Sequence, residues 1–290
     1  MAEPLRRIAV LTHHLARTTD HTLRDLAAEG RRLGLDLVVP SDEAAKHRLS
    51  DDQGYRVVDD DELLSVDLCL VLGGDGTILR ALGRMLGSGV PTTGVNFGNV
   101  GFLAGMRQAD WRAGLERIIA GSYTIIELLT VEARWNGERH KAVNDIVLAR
   151  VRSQRVVRLV YEVSGTRVGE MLCDGMIVAS PAGSTAYNLS CDGPLVVWDA
   201  DALVLNFIAP HSLGFRPLVL RPDHVIRVRN ASPTDEAEVL ADGTEVGRLC
   251  CGETVEITAG ETRARLLVSE GGSFYHNVEE KLFNRVRHAS

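Results

Sequence analysis

Lysine is almost missing from this 290-residue chain: only Lys46, Lys141 and Lys281 occur among 32 lysines and arginines. Mechanisms that need a lysine at a fixed place in a motif are thereby excluded. No lysine follows a glycine, so the P-loop G-x-x-x-x-G-K-[ST] is absent. Any phosphate must then be held by backbone amides, hydroxyls, arginine or a metal ion. Cysteine is sparse too. The odd set Cys69, Cys173, Cys191, Cys250 and Cys251 contains no C-x-x-C. Neither a zinc site nor a disulfide framework is indicated, and a reduced, cytoplasmic protein is expected. No apolar run reaches ~18 residues, and the N-terminal MAEPLRRIAVL lacks a signal-peptide core, so no membrane partner is expected. Excess positive charge is lacking as well. A net charge of -7 argues against a nucleic-acid partner. G-x-S-x-G and H-E-x-x-H are absent, which disfavours serine hydrolysis and zinc-protease chemistry. His13, His14 and His211 therefore read as structural or surface residues.

The remaining composition, 45% hydrophobic and 24% charged, is that of a globular protein and excludes collagen, coiled coil and wholesale disorder. Length over ~150 suggests about two domains. Residues 1–121 alternate strand and helix signals. Ile8–Leu11 is a short apolar run. Thr19 or Asp20 can cap a helix whose apolar face holds Leu23, Leu26, Ala27 and Leu33, stopped by Gly34. Leu35–Val39 reads as a strand, and the polar residues 41–62 as a loop with one weak helix. Val66–Leu72 is nearly all apolar, as a strand covered on both faces should be. A helix is predicted over Thr77–Leu86, a strand over Val90–Phe97, and a helix after Asp110 that ends at Gly121. After residue 122, period-two alternation takes over, with Asn136-Gly137, Ser164-Gly165, Asp242-Gly243 and Ala259-Gly260 between strand-like runs. The fold class is thus α/β plus β: a Rossmann-like parallel α/β domain, then a β-rich, sandwich-like domain over 122–274. A C-terminal helix over 275–290 returns to the first domain.

Four segments carry the candidate chemistry. Gly73-Gly74-Asp75-Gly76-Thr77 lies between an apolar strand and a helix. Its glycines let backbone approach a ligand, and the helix N-terminus favours phosphate. Asp75 can accept a hydroxyl proton, help hold Mg²⁺, or simply cap the helix. The second segment, Asp174 to Ser190, is a strand followed by a Pro/Gly turn and a hydroxyl cluster. Ser184, Thr185, Tyr187 and Ser190 suit sugar and base edges. The third, Asn144-Asp145, interrupts an apolar β run. Its spacing alone favours an exposed bulge or turn. The fourth, Asn99 to Leu103, follows a parallel strand at the end where open α/β sheets bind ligands. Phe102 there is either a base-stacking or a core aromatic.

Together these segments resemble the NAD kinase family. The resemblance rests on Leu72 to Thr77 (LGGDGT), Asn96 to Leu103 (NFGNVGFL), Asn144-Asp145 and Asp174 to Ser190, with Pro210 to Leu213, Arg216 to Val219 and the Phe274–Phe283 tail. It implies phosphoryl transfer to the 2′-hydroxyl of the adenosine ribose of NAD, giving NADP, with ATP or polyphosphate as donor. Asp75 would be the base and orienter of that hydroxyl, taking its proton late, because a carboxylate is too weak to ionise an alcohol beforehand. Gly74 and Gly76 would admit the diphosphate. Phe102, Asn144, Thr185, Ala186, Tyr187 and Ser190 would line the adenosine, and Asp145 and Asp174 would contact ribose or the rest of the dinucleotide. Gly73, Thr77 and Arg80 fall to the donor phosphates. Mg²⁺ or another divalent cation would arrive with the nucleotide, with no protein metal site, and the assembly would be a homodimer or homotetramer. The chain departs from the family pattern at Ala182, where threonine is usual, at Asp145, where glutamate is commoner, at Cys191-Asp192-Gly193 and at Gly214-Phe215. Two other readings remain at this stage: a lipid or small-molecule kinase sharing G-G-D-G-T, and a non-catalytic dinucleotide-binding sensor.

Overall fold

The five apolar residues before the first glycine pair, Leu68–Leu72, supply a central strand of a parallel sheet. The computed structural model describes residues 5–49, 53–97, 101–151, 155–212, 214–270 and 272–283. Two compact units emerge, residues 1–127 with 264–290, and residues 128–263. The first runs β1 (Arg7–Thr12), α1 (Asp20–Leu33), β2 (Asp36–Pro40), α2 (Ser41–His47), β3 (Arg56–Val58), α3 (Asp60–Leu63) and β4 (Leu68–Leu72). It continues through α4 (Asp75–Arg84), β5 (Thr92–Asn96), β6 (Met106–Arg107), α5 (Trp111–Ile119) and β7 (Tyr123–Leu128). The second holds β8 (Val131–Trp135), β9 (Glu138–Ala142), β10 (Asp145–Arg150), β11 (Val157–Val163), β12 (Thr166–Cys173) and β13 (Gly175–Ala179). After these come α6 (Tyr187–Ser190), β14 (Leu203–Ile208), β15 (Leu218–Leu220), β16 (Ile226–Asn230), β17 (Ala237–Ala241), β18 (Thr244–Leu249) and β19 (Thr254–Ala259). The chain then returns to the first unit with β20 (Ala264–Ser269), α7 (Phe274–Val278) and a π-helical turn, Glu279–Phe283.

In the first unit the sheet order is β3-β2-β1-β4-β5-β20-β7, with β6 also paired to β5. Strands β1 to β5 are parallel, and β20 joins β5 in parallel at Leu266 and Thr92. Every residue of β4 is buried, as its unbroken apolar run requires. On α1, Leu23, Leu26, Ala27 and Gly30 are buried at helical spacing, and Gly34 ends it at φ +68°, a left-handed conformation glycine adopts without penalty. Residues 41–62 depart from the loop expected there, forming α2, β3 and α3. The signal was hidden because the acidic residues have local uses. Asp59 caps α3 by accepting from the Glu62 amide at 2.9 Å. Glu43 is buried, accepting from Thr12 Oγ1 at 2.7 Å and pairing with Lys46 at 2.7 Å. That network fixes the end of β1, where the chain enters His13.

The second unit is a sandwich of two six-stranded antiparallel sheets, β15-β14-β13-β10-β17-β18 and β12-β11-β16-β19-β8-β9. Their inward residues interleave in one core, Ile146, Leu148, Met176, Val178 and Val239 against Val131, Leu159, Val228 and Ile257. The opposite faces of β10, β13 and β14 are also covered, with Val147, Ile177, Ala179 and Val204 in a second cluster. Three expected hairpin turns form with both central residues at positive φ: Asn136-Gly137 at 52° and 80°, Ser164-Gly165 at 48° and 79°, Asp242-Gly243 at 49° and 76°. That is the type I′ pattern whose twist matches paired strands. Ala259-Gly260 differs. The strands flanking it, β19 and β20, lie in different sheets, so it is an exit from the sandwich and not a hairpin.

Candidate functional site

The first group of residues gathers at the carboxyl ends of β1, β4 and β5. A cavity of about 550 Å³ there is lined by His13, His14, Thr18, Gly73, Gly74, Gly76, Thr77, Arg80, Asn96 and Phe97. The glycine turn thus falls where open α/β sheets bind ligands. Helix α4 begins at Asp75 with Gly74 as its N-cap, so its first amides lack helical partners and point a partial positive charge outward. Among the described residues, a Cβ on Gly74 would meet no atom nearer than 4.0 Å, and one on Gly76 none within that range. Protein packing does not require these glycines, so their backbone is open to a ligand. Arg80 supplies the cation of the cavity. His13 and His14, half-buried and exposed as a structural or surface reading allows, also line it, and their rings lie 4.0 Å apart. The missed signal was their place immediately after β1, at the ligand end of the sheet. Burial, and then the His14 and Arg80 charges, lower the His13 pKa, favouring a neutral, hydrogen-bonding imidazole.

Asp75 is held on both oxygens. Oδ2 accepts from the Phe102 amide at 2.7 Å and Oδ1 from the Leu103 amide at 3.1 Å. A Cβ on Gly101 would overlap Oδ1, so the loop can close on the carboxylate only through glycine. Phe102 is buried, with the Lys281 ammonium 4.1 Å from its ring centroid. Its side chain is thus packed, and its backbone serves Asp75. The rest of the fourth segment, Asn99 and Val100, lies outside the described residues.

The second group belongs to the sandwich. Asn144 and Asp145 open β10 and are buried at 9% and 5% exposure, which corrects the exposed bulge their spacing favoured. Their burial has a cause that the turn motif concealed. The Asp242 carboxylate, one residue from Gly243, accepts from the amides of Val143 at 2.8 Å, Asn144 at 2.7 Å and Asp145 at 3.3 Å. The Asp242-Gly243 dipeptide therefore forms a hairpin and also splints the start of β10. Asn144 Oδ1 is a buried acceptor without a partner among the described residues, which is costly unless a ligand or water satisfies it.

Asp145 is pushed up to about 7 by burial and then by the Asp242 charge. Burial likewise raises Asp242, opposed by its three amide donors. The sign for stability follows. An acid whose folded pKa lies above its unfolded value of about 4 stabilises fully below that value and loses the benefit as pH rises toward 7. Asp145→Asn mimics the protonated form and should remove this dependence. Urea unfolding is expected to show the variant gaining about 1–3 kcal/mol relative to wild type between pH 4.5 and 8. A constant difference across that range would refute the assignment.

Hydroxyls in the 180–190 segment divide into two sets. Ser180 donates to the Val143 carbonyl at 2.6 Å, Ser184 to Pro181 at 2.7 Å and Thr185 to Ala182 at 2.9 Å. These bonds build the turn, and Ser184, expected to face a ligand, is fully buried. Ala182 is buried as well. Tyr187 and Ser190 are exposed, Thr185 and Ala186 half-buried. Asp174 pairs with Arg150 at 3.0 Å. Among the described residues no three His, Cys, Asp or Glu side chains are grouped to hold a metal ion, and no helix is long and apolar enough to cross a membrane.

A parallel α/β unit whose cavity wall is a glycine turn carrying one aspartate is thus followed by an antiparallel sandwich, and the turn offers helix N-terminal amides to a phosphate without a P-loop. Comparison with known proteins narrows the class. The model of the ATP-NAD kinase N-terminal domain matches residues 25–123, and that of the C-terminal domain residues 143–269. An NAD kinase of Symbiobacterium thermophilum is 38% identical over 222 residues, 75% of this chain and 78% of its own length. NAD kinase 2 of Streptomyces avermitilis is 33% identical over 288 residues, covering 97% and 96%. Among solved structures, an Archaeoglobus fulgidus NAD kinase in complex with ATP superposes with a TM-score of 0.74 at 25% identity, covering 97% of this chain and 98% of its own. Yeast NADH kinase complexed with NADH shares the fold at a TM-score of 0.87 and 22% identity, covering 97% and 89%. The chain belongs to the NAD kinase family.

Proposed function

We propose that this chain transfers the terminal phosphoryl group of ATP to the 2′-hydroxyl of the adenosine ribose of NAD, releasing ADP and NADP. One observation carries the reading: a single carboxylate, Asp75, stands between two ligand-accessible glycines at a helix N-terminus, with both oxygens fixed by amides. The bond from the terminal phosphorus to its bridging oxygen breaks as the bond to the ribose oxygen forms. The hydroxyl proton passes to Asp75 late in that step, so positioning accounts for most of the rate. Gly73, Gly74, Gly76, Thr77 and Arg80, with His13 and His14, hold phosphates. Asn144 Oδ1, the exposed Tyr187 and Ser190, and Thr185 and Ala186 recognise the adenosine, while Asp145 and Asp174 meet ribose or the rest of the dinucleotide. Asp145, raised to about 7 by burial, is divided near neutrality between a donor and an acceptor form. A divalent cation, Mg²⁺ by preference, enters with the nucleotide and offsets its charge. Against a lipid acceptor stands the match to both domains of the ATP-NAD kinases. A homo-oligomer in a reducing, cytoplasmic compartment accords with the family and with five free thiols.

The test is incubation of the purified chain with NAD or NADH and ATP or polyphosphate, reading NADP(H) with an NADP-specific dehydrogenase. NADP from NAD, ATP and Mg²⁺ is expected, with loss of product when the metal is chelated. Tight dinucleotide binding by calorimetry without product under any donor would replace this reading by a sensor.

A further inference from the structure

Lys281 lies in the π-helical turn after α7, in the Phe274–Phe283 tail, and apart from the four segments that carry the candidate chemistry. The fold nevertheless brings it to the proposed base. Its ammonium is 3.7 Å from Asp75 Oδ2 and 4.1 Å from the centroid of the Phe102 ring. The same segment grips the Phe102 backbone, since Asn277 Nδ2 donates to the Phe102 carbonyl at 2.7 Å. The Phe102 amide in turn donates to Asp75 Oδ2. Asp75, Phe102, Asn277 and Lys281 thus form one closed cluster within the first unit. A π-helical turn is an uncommon way to place a side chain and is frequent at functional sites.

We infer that Lys281 is a positioning residue for the phosphoryl transfer, fixing the Asp75 carboxylate in the orientation that receives the hydroxyl proton. This rests on the function proposed above. The argument is one of geometry. Two amides define where the oxygens sit along the loop, and the ammonium supplies the remaining restraint, from the side of the Phe102 ring. At 3.7 Å the pair is longer than a direct hydrogen bond, so the cation acts by charge and placement. The ring holds the ammonium in turn, through the attraction of a cation for an aromatic face. Both partners are about a third exposed, 29% for Lys281 and 32% for Asp75. Such a pair adds little to fold stability, so its loss should spare the fold while loosening the carboxylate.

The experiment compares Lys281→Gln, Lys281→Met and Lys281→Arg in the full chain, with NAD, ATP and Mg²⁺. The Gln and Met variants are expected to lose about 10- to 100-fold in kcat, with KM for NAD and ATP within about 3-fold. Arginine keeps the charge and stacks on the ring, and should restore kcat to within about 5-fold. Thermal midpoints of all three should stay near wild type, a condition that lysine's partial exposure favours, and Met keeps an apolar stem over Phe102 if Gln perturbs packing. Wild-type kcat in the Gln and Met variants would overturn the inference. A raised KM for ATP with kcat intact would also overturn it and make Lys281 a donor-binding residue. Equal loss in Arg and Gln would show that charge is not what matters, with the same result. Failure of the unmodified chain to form NADP is a separate outcome, which removes the proposed function and this inference together.

Discussion

Asp75→Asn is expected to lower kcat by about 10³-fold while KM for NAD and ATP changes little. The substitution keeps the shape of the side chain but removes its capacity to take a proton. It also disturbs the local hydrogen bonding. Oδ2 accepts from Phe102 at 2.7 Å and Oδ1 from Leu103 at 3.1 Å, and an amide nitrogen at either place would turn a donor toward a donor. Asp75→Ala removes both acceptors, frees two loop amides, and should be at least as severe in kcat. Neither change touches the open backbone at Gly74 and Gly76, so dinucleotide binding by calorimetry should remain within about tenfold of wild type. Turnover in either variant within tenfold of wild type, measured on protein free of contaminating kinase, would remove Asp75 from the proposed role of base.

The second large effect is expected at a residue far from Asp75 in sequence. Asp242→Ala leaves the amides of Val143, Asn144 and Asp145 without their acceptor. Two of these bonds are short and the third is longer, and a buried donor without a partner costs about 1–3 kcal/mol. Relief of the like charge beside Asp145 works the other way but is smaller, because burial is the first cause of the Asp145 shift. A net loss of about 3 kcal/mol is expected, lowering the thermal midpoint by roughly 6–12 °C for a unit of this size. The KM for NAD should rise as well, because the start of β10 carries Asn144 Oδ1 and the Asp145 carboxyl. Unaltered melting and unaltered KM would mean that the splint is dispensable.

These two residues also measure how far the chain could be read in advance. The strand, glycine turn and helix start around Asp75 were legible because they are local features, whereas the Phe102 and Leu103 amides that hold its carboxylate were not. The parallel half, the β-rich half and three of the four hairpin turns were legible for the same reason. Asp242 was half legible. Asp-Gly announces a type I′ turn, and nothing local says that its carboxylate will splint a strand nearly a hundred residues away. Asn144 and Asp145 misled in the same manner, since two polar residues at a strand start look solvated until the tertiary acceptor is known. Lysine scarcity excluded a P-loop and with it suggested lysine-free chemistry. The fold nevertheless brings Lys281 within 3.7 Å of Asp75, through tertiary placement that no spacing rule reports. His13 and His14 carry no motif, and only their place just after β1 foretells that they line the cavity.

The first unit is interrupted in sequence, and this bears on the order in which the protein can be assembled. Strand β20 stands between β5 and β7 in the finished sheet, yet it follows the entire sandwich along the chain. During synthesis the flank of β5 that receives β20 must wait, paired only with β6 at Val95 and Asn96, until the sandwich has emerged. An unpaired strand flank invites association with other chains, and closing a sheet across so long an intervening segment is slow. Nascent chains stalled before β20 should accordingly engage chaperones more than completed ones. The same delay keeps Lys281 away from Asp75 until the sheet is shut, so the proposed phosphoryl-transfer machinery is completed only by a segment made after the whole sandwich.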